Sequence, residues 1–320
     1  LKNHAFFFFC FFILTIMGAV ACREREILPE QPPFIEENQE DEEEGIEDYL
    51  ARLCSERMEG REGGKKGEAE AALYLARFLQ VNGVKPAGDE GTYFQSFRIE
   101  EYEPVLIENR LKMVLKDYTK KLTSENVLGL VEGKSSEMVI LSAHYDHLGI
   151  IGTQLYPGAS DNASGVAAVM EIVKKVTREK PAKTLLIAFW GSEEKGLLGS
   201  NYFCQHPTVS LEQVLAVINL DTVGNLKTDQ ELLGWRDTDS TYLQKLVAGL
   251  EERGWTIDWR KDEKHNSDHW SFAKIGIPGF TLLSPDWLSS NHTSLDTPER
   301  VNVADLQELA DTLGLILCAE

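Results

Sequence analysis

Apolar residues recur at helical spacing at Ala72, Leu75, Ala76 and Leu79, ahead of Gly83. That period predicts an amphipathic helix with a glycine stop. A second such pattern runs through Val166, Val169, Met170, Val173 and Val176, opening on the small residues of DNASG at 161–165. Between the two, 93–100 and 111–131 read as antiparallel strands. Four short, nearly continuous apolar runs follow: MVILSA (138–143), TLLIAFW (184–190), VLAVINL (214–220) and GFTLL (279–283). Runs of this kind suit strands covered on both faces. Helical stretches near 195–204, 238–253 and 301–317 alternate with them. The alternation predicts an α/β fold, a three-layer helix-sheet-helix sandwich around a mixed, mostly parallel sheet, built as one domain over 46–320.

In open α/β sheets, ligands bind outside the carboxyl ends of the strands. The ionisable residues of this chain gather there. His144, Tyr145, Asp146 and His147 follow MVILSA, Glu193 and Glu194 follow TLLIAFW, and Asp221 follows VLAVINL. A loop beyond GFTLL delivers His292, and Asp161 opens the helix after the first of these strands. One histidine or aspartate at a strand end reads as a solvated loop residue, whereas His144, Asp161, Glu194, Asp221 and His292 on one edge read as metal ligands. Hydrolytic zinc takes three protein ligands and a water, so this set serves two ions if one carboxylate bridges. With Asp161 as the bridge, one ion takes His144, Asp161 and Asp221, and the other takes Asp161, Glu194 and His292. Imidazole and carboxylate without thiolate suit two Zn(2+), with cobalt or manganese as alternatives. Glu193, beside a ligand but free, is the expected general base. Asp146 is expected to accept the second N–H of His144 and so fix its tautomer. His147 and Lys195 read as loop and helix-start residues.

Over 320 residues, 42% hydrophobic and 26% charged composition excludes wholesale disorder, collagen-like repeats and a polytopic membrane protein. A net charge of -20 with no basic patch excludes nucleic acid as a partner. The acids are concentrated: 29–48 holds ten and no base. The segment 22–45 is therefore expected to be a disordered acidic tether. Ahead of it, Lys2, an apolar stretch from Ala5 to Val20 and small residues before Cys22 read as a signal peptide over 1–21. This leader resembles that of a bacterial lipoprotein, with Ala19 where leucine is usual, which would put a lipid on Cys22 as the sole membrane link. An uncleaved anchor and an ordinary cleaved signal are the alternatives. Each places the body outside the cytoplasm, in the periplasm, at the cell surface or secreted. Cys54, Cys204 and Cys318 remain in the body without metal-type spacing, enough for at most one disulfide.

Six stretches in fixed order carry a family resemblance: AHYDHLG (143–149), GASDNASGVA (158–167), WGSEEKGLLGS (190–200), INLDTVG (218–224), SDHWSFAKIGIP (267–278) and NHTSLDTPE (291–299). With MEGREGG (58–64) and GVKPAGDEGTYFQSF (83–97), they resemble the secreted co-catalytic di-zinc aminopeptidases. The clan of that family also contains glutaminyl cyclases and glutamate-carboxypeptidase-like enzymes. The resemblance implies an exopeptidase acting on peptides with a free N-terminus. It also implies the same five ligands, Glu193 as base and Asp146 as the partner of His144. Many members insert a further module near MEGREGG, and this chain lacks the length for one between 95 and 142.

One departure matters. Such aminopeptidases often carry tyrosine just before the last histidine to stabilise the oxyanion, and here that residue is Asn291. Asp268 and His269 are expected at the pocket rim, and Trp287 as a partly buried loop aromatic. A glutaminyl cyclase on the same scaffold and a catalytically silent, lipid-tethered binding protein are the competing readings. Serine chemistry has no support, because neither Ser160 nor Ser200 lies in a GxSxG elbow.

Overall fold

The apolar runs become the centre of a nine-stranded sheet in a computed structural model that describes residues 44–117, 120–227, 229–260 and 267–319. The expectations for the leader, Cys22 and nearly all of the acidic tether lie outside those residues. In chain order the strands are β1 (Lys85–Pro86), β2 (Phe94–Ile99), β3 (Tyr102–Ile107), β4 (Arg110–Leu115), β5 (Leu122–Val131), β6 (Ser135–His144), β7 (Gly149–Ile151) and β8 (Gln154–Tyr156). They continue with β9 (Lys183–Trp190), β10 (Val214–Leu220), β11 (Glu231–Arg236), β12 (Thr256–Arg260) and β13 (Gly279–Leu283). The main sheet runs β1-β5-β9-β6-β10-β13-β11-β12, with β2 also paired to β5. Its four middle strands, β9, β6, β10 and β13, are mutually parallel, while β5 and β11 pair antiparallel to their inner neighbours.

Alternate residues of β9 explain why its sequence shows no polar period. Leu185, Ile187 and Phe189 join one core cluster, and Leu186, Ala188 and Trp190 join the other. Both faces are covered, so every position from Leu185 to Trp190 is apolar. On the first face pack α1 (Ile46–Leu53), α2 (Lys66–Val81), α3 (Gly165–Glu179), α5 (Thr241–Glu251) and α7 (Val303–Ala319). On the second lie α4 (Leu198–Gln205) and α6 (His269–Ala273), through Phe203 and Phe272. Three layers therefore stand as expected. Chain order sends β6 to β9 on one side and β9 to β10 on the other, which opens a crevice at the carboxyl ends of these strands.

Two features depart from the sequence reading. The stretch 111–131 is two strands rather than one, because β3 and β4 form their own hairpin. Its two-residue turn, Glu108 and Asn109, has both φ positive, at 51° and 63°. A turn with two left-handed residues matches strand twist but usually announces itself with glycine, which is absent here. Strands β11 and β12 were not expected either. They lie at the sheet margin, and β12 alternates exposed and half-buried positions instead of forming an apolar run. Cys54, Cys204 and Cys318 are free. Among the described residues no helix is long and apolar enough to cross a membrane.

Candidate metal centre

β6 ends on His144, whose ring is buried. Its Nε2 lies 3.4 Å from Asp161 Oδ1, 3.4 Å from Asp221 Oδ1 and 4.0 Å from Glu193 Oε2. The other oxygen of Asp161 faces a different group. Oδ2 lies 3.3 Å from His292 Nε2 and 3.9 Å from His147 Nδ1. Glu194 completes that side, with Oε2 3.0 Å from His292 Nε2 and Oε1 3.0 Å from His147 Nδ1. Two compact donor sets result, His144, Asp161 and Asp221, and His147, Asp161 and Glu194, the donor atoms of each lying within 4.8 Å of one another. All five residues expected as ligands, together with Glu193, are thus brought to one place. His147 joins them.

Local structure holds these groups against their own conformational preferences. Asp161 sits in an irregular turn whose N–H groups, from Ser160 and Asp161, donate to the two carboxylate oxygens of Asp296 at 2.8 and 3.0 Å. Asn162 Oδ1 accepts from Gly165 and Thr222, and its amide donates to Leu220 O. The turn is thereby tied to the end of β10, which carries Asp221. Thr222 and Ser267 hydroxyls donate to Oδ1 and Oδ2 of Asp221. Gly158 has φ 61°, and a Cβ there would stand 2.5 Å from the His147 ring, so only glycine lets these segments approach. Ser192, Thr222 and His292 also have positive φ, at 54°, 50° and 58°. Each non-glycine residue so placed stores strain of order 1 kcal/mol, which the surrounding hydrogen bonds must outweigh.

Asp146 does something other than expected. His144 Nδ1 is nearer the Asp146 carbonyl, at 3.2 Å, than its carboxylate, at 3.7 Å. The carboxylate instead accepts the backbone N–H groups of Glu193 and Glu194, at 2.8 and 3.3 Å. Those amides begin a short helical turn, and capping them satisfies donors that lack intrahelical partners. Asp146 therefore positions the base-bearing turn as well as standing beside the histidine.

Buried Arg61, from MEGREGG, clamps the floor. Its guanidinium donates to the carbonyls of Leu53, Tyr145, Pro157 and Gly158, joining the segments that carry His144 and Asp161. Glu68, on α2, lies beneath Ser192. It accepts from Gly64 N and Ser124 Oγ, both at 2.6 Å. Burial, with the Asp146 carboxylate adding to it, pushes the Glu68 carboxyl up to about 8. In the unfolded chain the same group ionises near 4.5. Between these values the native state binds a proton that the unfolded state lacks, so this contribution to stability falls as pH rises. Glu68→Gln is therefore expected to gain stability relative to wild type from about pH 5 to about pH 8, by at most ~1.4 kcal/mol per pH unit. Urea melts of both proteins across that range check it, and parallel pH profiles would reject a protonated Glu68.

Electrostatics separate the two neighbouring glutamates. Burial raises the Glu193 carboxyl well above its ordinary range; His144 opposes the rise, and Glu194 and Asp268 reinforce it. Glu194 is lowered despite burial, because His292 and His147 face it. Burial opposes charge on His292, yet the Glu194 and Asp161 carboxylates outweigh it and push the ring up to about 10. The Asp161 carboxyl likewise falls despite its burial, through His144 and His292.

Several expectations need correction. His147, expected as a loop residue, does lie in the loop after β6 but is fully buried, its ring against Gly158. Lys195 is buried too, its ammonium bonded to Gly63 O at 2.5 Å and Glu62 Oε1 at 3.2 Å. Asp268 and His269, expected at the pocket rim, are both buried. His269 pairs with Thr281 Oγ1 and Asp237, and burial pushes the Asp268 carboxyl up to about 7. Trp287 is buried at 8% exposure, edge-on to Trp235. Asn291 turns its amide N–H onto Asp161 Oδ2.

The aminopeptidase YwaD of Bacillus subtilis is 26% identical over 223 residues, covering 66% of this chain and 48% of that protein. A probable zinc metalloprotease of Leptosphaeria maculans is 29% identical over 253 residues, covering 64% and 58%. The chain thus spans about half the length of the curated relatives it matches. Among solved structures, a zinc aminopeptidase from Bacillus subtilis superposes with a TM-score of 0.67 at 18% identity, over 85% of this chain and 93% of that one. A glutaminyl cyclase from Porphyromonas gingivalis superposes at 0.61 and 17% identity, over 85% and 96%. These two share the fold. The model of peptidase family M28 matches residues 126–317, from the middle of β5 to near the end of α7, and the chain belongs to that family.

Proposed function

We propose that the chain is a two-metal aminopeptidase that removes N-terminal residues from peptides. His144, Asp161 and Asp221 would hold one zinc ion, and Asp161, Glu194 and His292 the other, with His147 a further donor on the second side. One observation carries this reading: the two oxygens of Asp161 face two different sets of donors. A purely structural ion-pair cluster would leave its buried polar atoms hydrogen-bonded to one another. Here both ring nitrogens of His147 and Oε1 of Glu194 lack hydrogen-bond partners, although Nδ1 and Oε1 are 3.0 Å apart. Donors that approach so closely without bonding suit a shared cation. Imidazole and carboxylate oxygen fit zinc, and no thiol joins either donor set.

Bound there, such ions would polarise the scissile carbonyl and lower the pKa of an attacking water. The protein supplies proton transfer and orientation. The Glu193 carboxylate takes the water's proton and returns it to the leaving amine, and its raised proton affinity suits it to hold the proton between these events. Asp146 fixes the turn from which Glu193 reaches the substrate.

The test is a panel of N-terminal aminoacyl fluorogenic substrates and Gln-peptides, offered to metal-stripped protein before and after zinc return. The expected result is release of a free amino acid only after zinc return, saturating at two ions per chain by mass spectrometry. Ammonia release from Gln-peptides without a free amino acid would replace this reading with a cyclase.

A further inference from the structure

Peptide hydrolysis needs a positive or hydrogen-bonding group for the carbonyl oxygen as it gains charge, and the donors around this cage are mostly committed. Arg61 is bonded to four carbonyls, and Lys195 to Gly63 O and Glu62. The Asn291 amide is turned onto Asp161, one N–H bonded there, and its Oδ1 cannot donate. One cation differs. Arg110 stands immediately after the tight turn of the β3–β4 hairpin, which brings it over the site. Its Nη2 lies 3.3 Å from His292 Nε2, its guanidinium sits 5.2 Å over the Trp287 ring, and its buried Nε has no hydrogen-bond partner.

The same hairpin fixes the histidine. The Leu111 carbonyl accepts from His292 Nδ1, so Nε2 carries the lone pair whenever the ring is neutral, the form a metal ligand takes, and Arg110 is then the donor beside it. That lone pair serves one partner at a time. Once Nε2 is given to a cation, the Arg110 N–H needs another acceptor beside the same atom. Glu193 lies against His144, in the other donor set, so base and guanidinium approach the centre from different sets.

We infer that Arg110 is the oxyanion-stabilising residue of this enzyme, donating N–H to the oxygen of the scissile carbonyl. The inference rests on the peptidase reading. Water oxygen bonds to the carbonyl carbon, its proton passes to the Glu193 carboxylate, and the carbonyl π pair moves onto the oxygen facing Arg110. The pair then returns, the C–N bond breaks, and the amine leaves with the proton from Glu193. Arg110 stays protonated throughout.

The test uses the zinc-loaded full chain with Arg110→Met, Arg110→Lys and Arg110→Ala, assayed on aminoacyl anilides, which carry no carboxylate. For Arg110→Met we expect kcat to fall about 10²–10³-fold with KM little changed. Affinity for a 1-aminoalkyl phosphonic acid, measured calorimetrically, should fall by a similar factor. Added guanidinium should partly restore kcat to Arg110→Ala, with zinc content and melting temperature as in wild type; a merely structural arginine would not be rescued this way. Undiminished kcat in Arg110→Met, beside an active wild type and a crippled Glu193→Gln, overturns the proposal alone. A loss confined to KM of peptides with a free carboxylate also overturns it, making Arg110 a receptor for the substrate's far end. A wild type that releases no amino acid after zinc return removes the peptidase reading, and this inference with it.

Discussion

Glu193→Gln is expected to lower kcat by about 10²–10⁴-fold while leaving zinc content, KM and melting temperature close to wild type. Glutamine keeps the size of the side chain and one of its oxygens, but its amide cannot take a proton from water. Glu193 belongs to neither compact donor set, and its Oε2 stands 4.0 Å from His144 Nε2. Loss of its charge should therefore not release a metal. Nor should the fold suffer, because the turn is held through the backbone N–H of Glu193 on Asp146, which the substitution keeps. Burial works against a charge at this position, so a neutral amide costs the fold little. Steady-state kinetics, metal analysis and a thermal melt on one preparation separate these effects. A variant that hydrolyses as fast as wild type would show that another group takes the proton.

Much of this site was legible because the physics that buries strands also makes them visible. Strands covered on both faces are mostly apolar, so the inner parts of β6, β9, β10 and β13 appear as runs whose ends mark where ligands gather. The rest was hidden for equally physical reasons. Polarity suggests exposure, yet His147 and Lys195 are buried: the Lys195 ammonium meets a carbonyl and so no longer needs water, and the His147 ring packs against Gly158. The spacing of the two histidines in HYDH held a clue: His144 and His147 three apart, with Gly158 small enough to admit the second ring. Arg110 carried no comparable signal. Its position depends on a turn formed by Glu108 and Asn109, residues whose left-handed backbone a sequence seldom advertises. Asp296 lay inside NHTSLDTPE, yet its work on the amides of Ser160 and Asp161 emerges only where two distant loops meet.

Asp161→Asn should do more damage than loss of any other single donor, and metal content rather than rate is the sharper measure. The substitution preserves shape and one oxygen, but the other becomes an NH₂ group, which cannot ligate, and the negative charge shared by both sets is gone. Asp221, by contrast, belongs to the His144 set alone. Wild type is expected to retain two zinc ions through dialysis and Asp221→Asn one, whereas Asp161→Asn weakens both. Activity of Asp161→Asn should fall at least about 10³-fold, since loss of the paired ions removes both the polarised carbonyl and the activated water. Zinc that binds only the native state stabilises it by about 4 kcal/mol when present at a thousand times its dissociation constant. Returning zinc should therefore raise the melting temperature of stripped wild type clearly and that of Asp161→Asn little. The variant loses a carboxylate whose charge two histidines already favour, so some stability is lost even without zinc, and the informative quantity is the increment on adding the ion. If Asp161→Asn kept two tightly held ions and the full zinc-induced rise, the two donor sets would not share this carboxylate, and the cage would have to be assembled through His147 and Glu194 without it.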